Sequence, residues 1–323
     1  MNQNKGIILV TLPNERFGSI EMEALRSQAE GREIIHALDR PEMEKYLDQT
    51  EILIGFGPWD LPAKMPNLRW FQLWGAGVDG LVAHPELKDH AVSITNTSGM
   101  HRDQLTEHIF GMILSRNRFF PKVFAAQKKH EWVHPKDSET DVLAGKTMLI
   151  IGYGAIGEQT AIAAKAFGMK VIGIRRHPAN PGADVRIETM DKLGELLGEA
   201  DYVVNILPFT EETKGILGKK EFNLFKRGAV YVNVGRGPTN DEAAMMEALK
   251  SGRLAAALLD VTSVEPLPKD SPLWDMENVI ITPHYAGTRN NYAAFAMEIT
   301  LENLKRYNKG QPLEHLVDKK AGY

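Results

Sequence analysis

Apolar residues in this chain follow two alternating rhythms: short unbroken runs, and longer stretches in which they recur every three or four positions. In the N-terminal third the runs are Ile7–Val10, 52–54, Trp70–Leu73 and 92–94, with helical spacing over 20–29 and 41–47. Such short apolar runs, alternating with helical segments, predict a small α/β domain. From Asp103 an apolar stripe through Leu105, Ile109, Met112, Ile113 and Phe119 predicts one long helix, ended by Pro121 and running between domains. A second, clearer series follows: Thr147–Ile151, 171–174, 202–206, 229–232, 256–259 and Val279–Ile281. Helical stretches such as Ala155–Ala166 and Glu242–Lys250 lie between these runs, as parallel crossovers require. A last amphipathic helix is predicted over 293–307, and the pattern contains no internal repeat or low-complexity segment.

Composition narrows what such an α/β chain does. With 323 residues and 43% hydrophobic content, two domains with separate cores are expected. The net charge is −4, the isoelectric point is about 6.2, and acidic and basic residues are interspersed. That balance gives no support to a nucleic-acid or anionic-membrane surface and favours a small-molecule partner. There are no cysteines, so neither disulfides nor thiolate metal ligands are available. Residues 1–5 are polar and Ile7–Val10 is too short for a signal peptide or a membrane span, so a soluble cytoplasmic protein is expected.

Candidate chemistry sits directly after the strand-like runs. Gly152-Tyr153-Gly154-Ala155-Ile156-Gly157, Arg175-Arg176-His177, Leu207-Pro208, Gly235-Arg236-Gly237, residues 260–266 and Pro283-His284 all have this placement. The carboxyl ends of strands in an open parallel sheet border one crevice, so these stretches are expected to meet there. The first is a G-x-G-x-x-G turn between a strand and a helix, the context a dinucleotide site needs. Gly152 permits the tight turn, Gly154 lets a pyrophosphate approach the backbone, and Gly157 lets helix and strand pack closely. At the end of the next strand, where an acid would hold the ribose hydroxyls of NAD, stand Arg175 and Arg176. Paired guanidiniums without an acid favour a 2′-phosphate, so NADP(H) is the expected cofactor and NAD(H) a possible one; the alternative is a solvated basic turn.

Reduction of a keto group needs a proton donor beside it, and a carboxylate-bearing substrate needs a fixed cation. His284, Glu265 and Arg236 supply those types. An imidazole delivers or accepts a proton near neutrality, Glu265 beside it favours the imidazolium, and Arg236 is flanked only by glycines. Each alone reads better as a packed histidine at a strand end, a surface acid or a loop cation, and only together, on one sheet, do they point to catalysis. His130-Glu131-Trp132-Val133-His134 matches H-E-x-x-H, but Pro135 follows at once and no downstream ligand motif accompanies it, so no metal is expected. Trp59 and Met100 are candidates to shape a substrate pocket, although large apolar residues near strand ends are commonly core.

Asn233-Val234-Gly235-Arg236-Gly237-Pro238, Ala257-Leu258-Leu259-Asp260-Val261 with Glu265-Pro266, Ser271-Pro272-Leu273-Trp274 and Thr282-Pro283-His284-Tyr285-Ala286-Gly287 together resemble the D-isomer-specific 2-hydroxyacid dehydrogenases. The similarity covers most of the chain and is densest over 145–287. It implies two Rossmann-like domains with parallel sheets, a cofactor domain at 100–287 being inserted into a discontinuous substrate domain at 1–99 and 288–323. It implies that Arg236 binds substrate, that Glu265 pairs with His284, and that His284 is the acid/base. It also implies that Asp260 contacts the nicotinamide carboxamide, that the amides of Ala76 and Gly77 bind the substrate carboxylate, and that the protein is a homodimer. The expected cofactor contacts are Gly152, Gly154, Ala155, Ile156, Gly157, Arg175, Arg176, Leu207, Pro208, Asp260 and Gly287. Arg175 in place of an acid resembles the NADP-preferring glyoxylate/hydroxypyruvate reductase branch, and Gly235, where a slightly larger residue is commoner, is expected to loosen the site near Arg236. The expected partner is a small 2-keto or 2-hydroxy acid; the rival reading is a nucleotide-sensing protein of the same fold without turnover.

Overall fold

The computed structural model of the protein describes residues 5–177 and 185–323. The chain divides into two compact units, one formed by residues up to His101 together with Thr288–Tyr323, the other by Arg102–Gly287. Among the described residues no helix is long and apolar enough to cross a membrane.

The first unit is built on a parallel sheet of β1 (Ile7–Val10), β2 (Ile34–His36), β3 (Thr50–Gly55), β4 (Trp70–Leu73) and β5 (Ser93–Thr95), in the order β2-β1-β3-β4-β5. Successive side chains on a strand face opposite sides, and the core follows that alternation. Ile8, Val10, Ile52 and Ile54 pack on one face with Leu25, Ala296, Met297 and Leu304, the first from the helix Ser19–Gln28 and the others from the helix Tyr292–Asn308. Leu9, Leu53, Phe71 and Leu73 pack on the other with Leu61, Leu68, Leu81 and Leu87. The C-terminal helix therefore completes the N-terminal core. Strand β2 is not anticipated from the sequence because its two isoleucines, half-buried at the sheet edge, form too short a run to signal a strand.

The second unit carries β6 (Thr147–Ile151), β7 (Lys170–Ile174), β8 (Arg186–Glu188), β9 (Tyr202–Asn205), β10 (Ala229–Asn233), β11 (Leu254–Leu259) and β12 (Val279–Ile281). All run parallel in the order β12-β11-β10-β9-β6-β7-β8. The order reverses at β6, so the crevice beyond the carboxyl ends of β6 and β9 is the place for a ligand in this kind of sheet. The edge strand β8 again escapes sequence reading, since Arg-Ile-Glu contains one apolar residue.

The predicted long helix is in fact two, Arg102–Asn117 and Phe120–Gln127. Phe119 breaks it by adopting a left-handed backbone with φ +64°, and Pro121 lies in the first turn of the second helix, where its missing N–H costs nothing. That second helix stops at Gln127, and His130 is left-handed, so His130 and His134 do not share a helical face. No cluster of metal-ligating side chains is present among the described residues.

Candidate active site

Glycines knit the loops after four strands of the second unit together. Gly152 turns the chain after β6 with φ +99°, and a Cβ there would lie 3.0 Å from the Ile206 carbonyl carbon beyond β9. At Gly235, after β10, a Cβ would sit 2.6 Å from the Leu207 oxygen; at Gly237 it would sit 1.9 Å from the Thr262 oxygen beyond β11. Each contact is backbone against backbone, which only glycine allows. Gly235 thus does not loosen the site, as its small size suggested in the sequence; it lets the Arg236 loop close on Leu207.

The turn after β6 fits a dinucleotide. Gly154 is the N-cap of the helix Ala155–Ala166, no side chain caps that end, and a Cβ on Gly154 would meet nothing within 4 Å. The exposed first-turn N–H groups and the positive end of the helix dipole are thereby open to a pyrophosphate. Gly157 packs tightly, with a Cβ only 3.0 Å from the Gly152 oxygen. Leu207 is buried, its N–H donating to Asn205 Oδ1 at 3.1 Å, and the Pro208 carbonyl accepts from Thr213 Oγ1 at 2.7 Å. Arg175 follows β7 half-buried, its side chain without a carboxylate partner among the described residues. Arg176 is exposed and ion-paired with Glu212. So exposed a pair is worth only about 0–1 kcal/mol and would yield to a phosphate.

The groups that follow β11 and β12 lie in hydrogen-bond contact. His284 Nδ1 lies 2.6 Å from Glu265 Oε2, and Glu265 Oε1 accepts the Thr262 N–H at 3.0 Å. The carboxylate accepts, so Nδ1 carries the proton of this bond, on a ring that is 46% exposed. His284 itself is left-handed at φ +48°, a conformation that costs a non-glycine residue of order 1–3 kcal/mol unless its surroundings fix it. They do: its N–H donates to the Asp260 carbonyl at 2.8 Å, Tyr285 N–H to Asp260 Oδ1 at 3.2 Å, and Ala286 N–H to Oδ2 at 3.0 Å. Arg236 directs Nη1 to the Gly235 carbonyl at 2.7 Å, and its own carbonyl is held by Thr239 Oγ1 at 2.5 Å.

A fixed cation, an oriented imidazole with its carboxylate, and an uncapped helix end now stand at the carboxyl edge of one sheet. The family model for the NAD-binding domain of the D-isomer specific 2-hydroxyacid dehydrogenases matches residues 110–286. The chain belongs to this family. It is 38% identical over 247 residues to glyoxylate/hydroxypyruvate reductase B of Enterobacter sp. (strain 638), covering 73% of this chain and 74% of that one. It is 32% identical over 291 residues to the D-3-phosphoglycerate dehydrogenase of Methanocaldococcus jannaschii, covering 88% of this chain but only 55% of that one. Among solved structures it is similar to the NADPH-dependent glyoxylate/hydroxypyruvate reductase of Sinorhizobium meliloti in complex with NADP and sulfate, with 33% identity, a TM-score of 0.83, and coverage of 99% and 100% of the two chains.

In the first unit of this dehydrogenase, the loop after β4 holds Ala76 and Gly77. Three of its carbonyls are engaged: Trp74 by Thr97 Oγ1 at 3.2 Å and by the Tyr292 hydroxyl, Gly75 by Thr97 N–H at 3.3 Å, and Ala76 by Asn96 Nδ2 at 2.8 Å. The amides of Ala76 and Gly77 donate to nothing among the described residues. Met100, by contrast, is 8% exposed and sits in the core with Trp74 and Tyr292. Trp59 lies edge-on to Phe71 at 5.6 Å and against Gly80, where a Cβ would be 1.9 Å from its ring.

Residues that sequence reading passed over support the loops from beneath. Asn205, Tyr231, Asn233 and Thr239 are fully buried, and Asn240 nearly so. Asn205 Nδ2 donates to Tyr231 Oη at 3.0 Å and Thr239 Oγ1 at 2.8 Å, and Asn233 Nδ2 donates to Asn240 Oδ1 at 2.9 Å while its Oδ1 accepts the Gly235 N–H at 3.0 Å. Such a network is costly unless every member is paired, and here it ties the Leu207 and Arg236 loops together. The signal was present, for β9 and β10 are apolar strands that each end on an asparagine.

Proposed function

We propose that this dehydrogenase reduces a small 2-keto acid to the D-2-hydroxy acid, preferring NADPH. The observation that carries the reading is the 2.6 Å His284–Glu265 contact, on the same sheet edge as the uncapped glycine turn. Bound there, the nicotinamide supplies the hydride. His284 Nε2 gives the proton to the substrate oxygen, Glu265 stabilises the imidazolium before transfer, and Arg236 holds the substrate carboxylate. The family resemblance assigns the amides of Ala76 and Gly77 to substrate binding, and their lack of acceptors among the described residues supports the assignment. Gly152, Gly154, Ala155, Ile156 and Gly157 hold the pyrophosphate, with Leu207, Pro208 and Gly287 lining the nucleotide. Among the described residues Asp260 Oδ2 accepts one bond, which leaves it capacity for the carboxamide N–H. Packing accounts for Trp59 and Met100.

Arg175 supports the cofactor preference as a cation with no carboxylate partner among the described residues; the Sinorhizobium relative, whose structure holds NADP, supports it independently. Such contacts are worth about 1.5–3 kcal/mol, or roughly ten- to a hundredfold in specificity. The test is a panel of 2-keto acids with NADPH and NADH, following loss of the reduced cofactor's absorbance. Turnover is expected with NADPH favoured, reduction weakening and oxidation strengthening as pH rises, because His284 must carry the proton in one direction and lack it in the other. Equal turnover with NADH would remove the preference, and cofactor binding without turnover on any acid would replace the enzyme with a nucleotide sensor.

A further inference from the structure

Three residues spaced four apart on the helix Arg102–Asn117 face the turn that carries His284. Gln104 Nε2 donates to the Gly287 carbonyl at 3.3 Å, His108 Nε2 lies 2.9 Å from Thr282 Oγ1, and Met112 sulfur lies 4.0 Å from the same hydroxyl. Residues at i and i+4 share a helical face, so this stripe lies along residues 282–287. The mechanism above uses none of the three. His108 makes further contacts: besides Thr282, its ring packs at a right angle to Tyr285 with centroids 5.0 Å apart, and its Nε2 is 3.5 Å from Asp260 Oδ1.

The direction of the hydrogen bonds follows from proton counting. Thr282 Oγ1 lies 2.6 Å from Asp260 Oδ1, and an ionised carboxylate only accepts, so the single hydroxyl proton points at Asp260. The proton between His108 and Thr282 must then come from the imidazole, which fixes the Nε2–H tautomer. Burial lowers the His108 pKa, against the opposing pull of Asp260, so a neutral ring carrying one proton suits the site. The chain of bonds runs from His108 to Thr282 to the Asp260 carboxylate, which in turn accepts the backbone N–H groups of Tyr285 and Ala286, while the Asp260 backbone carbonyl accepts that of His284. Those three N–H groups hold the left-handed His284.

We propose that His108 is a positioning residue for the reaction, its Nε2–H orienting the Thr282 hydroxyl so that Asp260 holds the His284 turn in register with Glu265. The proposal rests on His284 being the acid/base. A leucine at 108 removes the donor while keeping apolar bulk, whereas a glutamine returns an N–H close to the place of Nε2. The expected result for His108→Leu is a roughly tenfold or greater fall in kcat, with KM for the keto acid and Kd for NADPH within about threefold of the wild type. His108→Gln should recover most of that loss. Thr282→Val breaks the same chain one bond on, so the double variant His108→Leu/Thr282→Val should be little worse than either single one. Thermal melts of each variant separate lost fold from lost positioning.

A kcat unchanged in His108→Leu, a loss that His108→Gln fails to recover, or losses that multiply in the double variant would each overturn the proposal. Absence of turnover in the wild type would instead overturn the assignment of His284.

Discussion

The glycine turn after β6 and the glycine loop after β4 both present backbone N–H groups at the carboxyl edge of a parallel sheet, and they are held in place by opposite means. Gly152, Gly154 and Gly157 act through their own backbones: a positive φ, an open N-cap and a close approach. The loop from Trp74 to Gly77 is held from outside, the carbonyls of Trp74, Gly75 and Ala76 gripped by Asn96, Thr97 and Tyr292. Backbone amides can thus be aimed by the conformational freedom of the residues that carry them or by side chains elsewhere in the chain. The two kinds of site should respond oppositely to substitution within the loop.

The largest effects are expected at the turn after β6. Gly152→Val combines a left-handed backbone with a Cβ about as close as 3.0 Å to main-chain atoms of Ile206 and Leu207. Strain and overpacking together should destabilise the fold by roughly 2–5 kcal/mol, read by urea or thermal unfolding. Gly154→Asp sharpens the point, because there φ is −107° and a Cβ meets open space. Aspartate is a good N-cap, so stability should hold or rise by about 0.5 kcal/mol, while its charge in the pyrophosphate cradle raises the NADPH Kd by about tenfold or more. Equal stability losses in both variants would mean that the glycines serve packing alone.

The same contrast explains what was legible in the sequence. The turn after β6 is readable because its glycines work within a few residues of one another, and His284, Glu265 and Arg236 are readable because each directly follows an apolar strand. The grip on the loop after β4 is not, since Tyr292 lies more than two hundred positions away on the C-terminal helix and its hydroxyl gives no sign of its acceptor. The strands β2 and β8 were missed for the opposite reason: three-residue edge strands carry too few apolar side chains to show a period. The break at Phe119 escaped because a phenylalanine gives no local warning of a left-handed backbone, which leaves Pro121 looking like the end of a helix when it begins one.

A smaller effect is expected from loosening the outer grip. Tyr292→Phe removes the hydroxyl donor to the Trp74 carbonyl but keeps the ring under the Arg16 guanidinium, 4.1 Å from its centroid. The carbonyl retains Thr97 Oγ1, so stability should fall by only about 0.5–1.5 kcal/mol, with KM for the keto acid rising a few fold and NADPH Kd unchanged. Burial raises the Tyr292 pKa, so the hydroxyl stays protonated in the folded protein above the pH at which an ordinary tyrosine ionises. Its contribution is therefore complete at neutral pH and is lost only as pH rises through that elevated value. The gap in melting temperature between wild type and Tyr292→Phe should stay constant from about pH 6 to 9, and a gap that closes within this range would place the grip elsewhere.

The smallest effect should come from Gly75→Ala, in the same loop. A Cβ there meets only the Phe56 ring, at 3.7 Å and 4.0 Å, which is ordinary van der Waals contact, and Gly75 is not among the glycines with positive φ. Nothing in the backbone resists the methyl, and alanine lowers the entropy of the unfolded chain, so stability should change by no more than about 1 kcal/mol, in the favourable direction. The amides assigned to the substrate belong to Ala76 and Gly77 and keep their positions through Asn96 and Thr97, so KM should also stay within about twofold. A loss as large as that of Gly152→Val would show that this glycine, too, is required by its own backbone, and the distinction between the two sites would disappear.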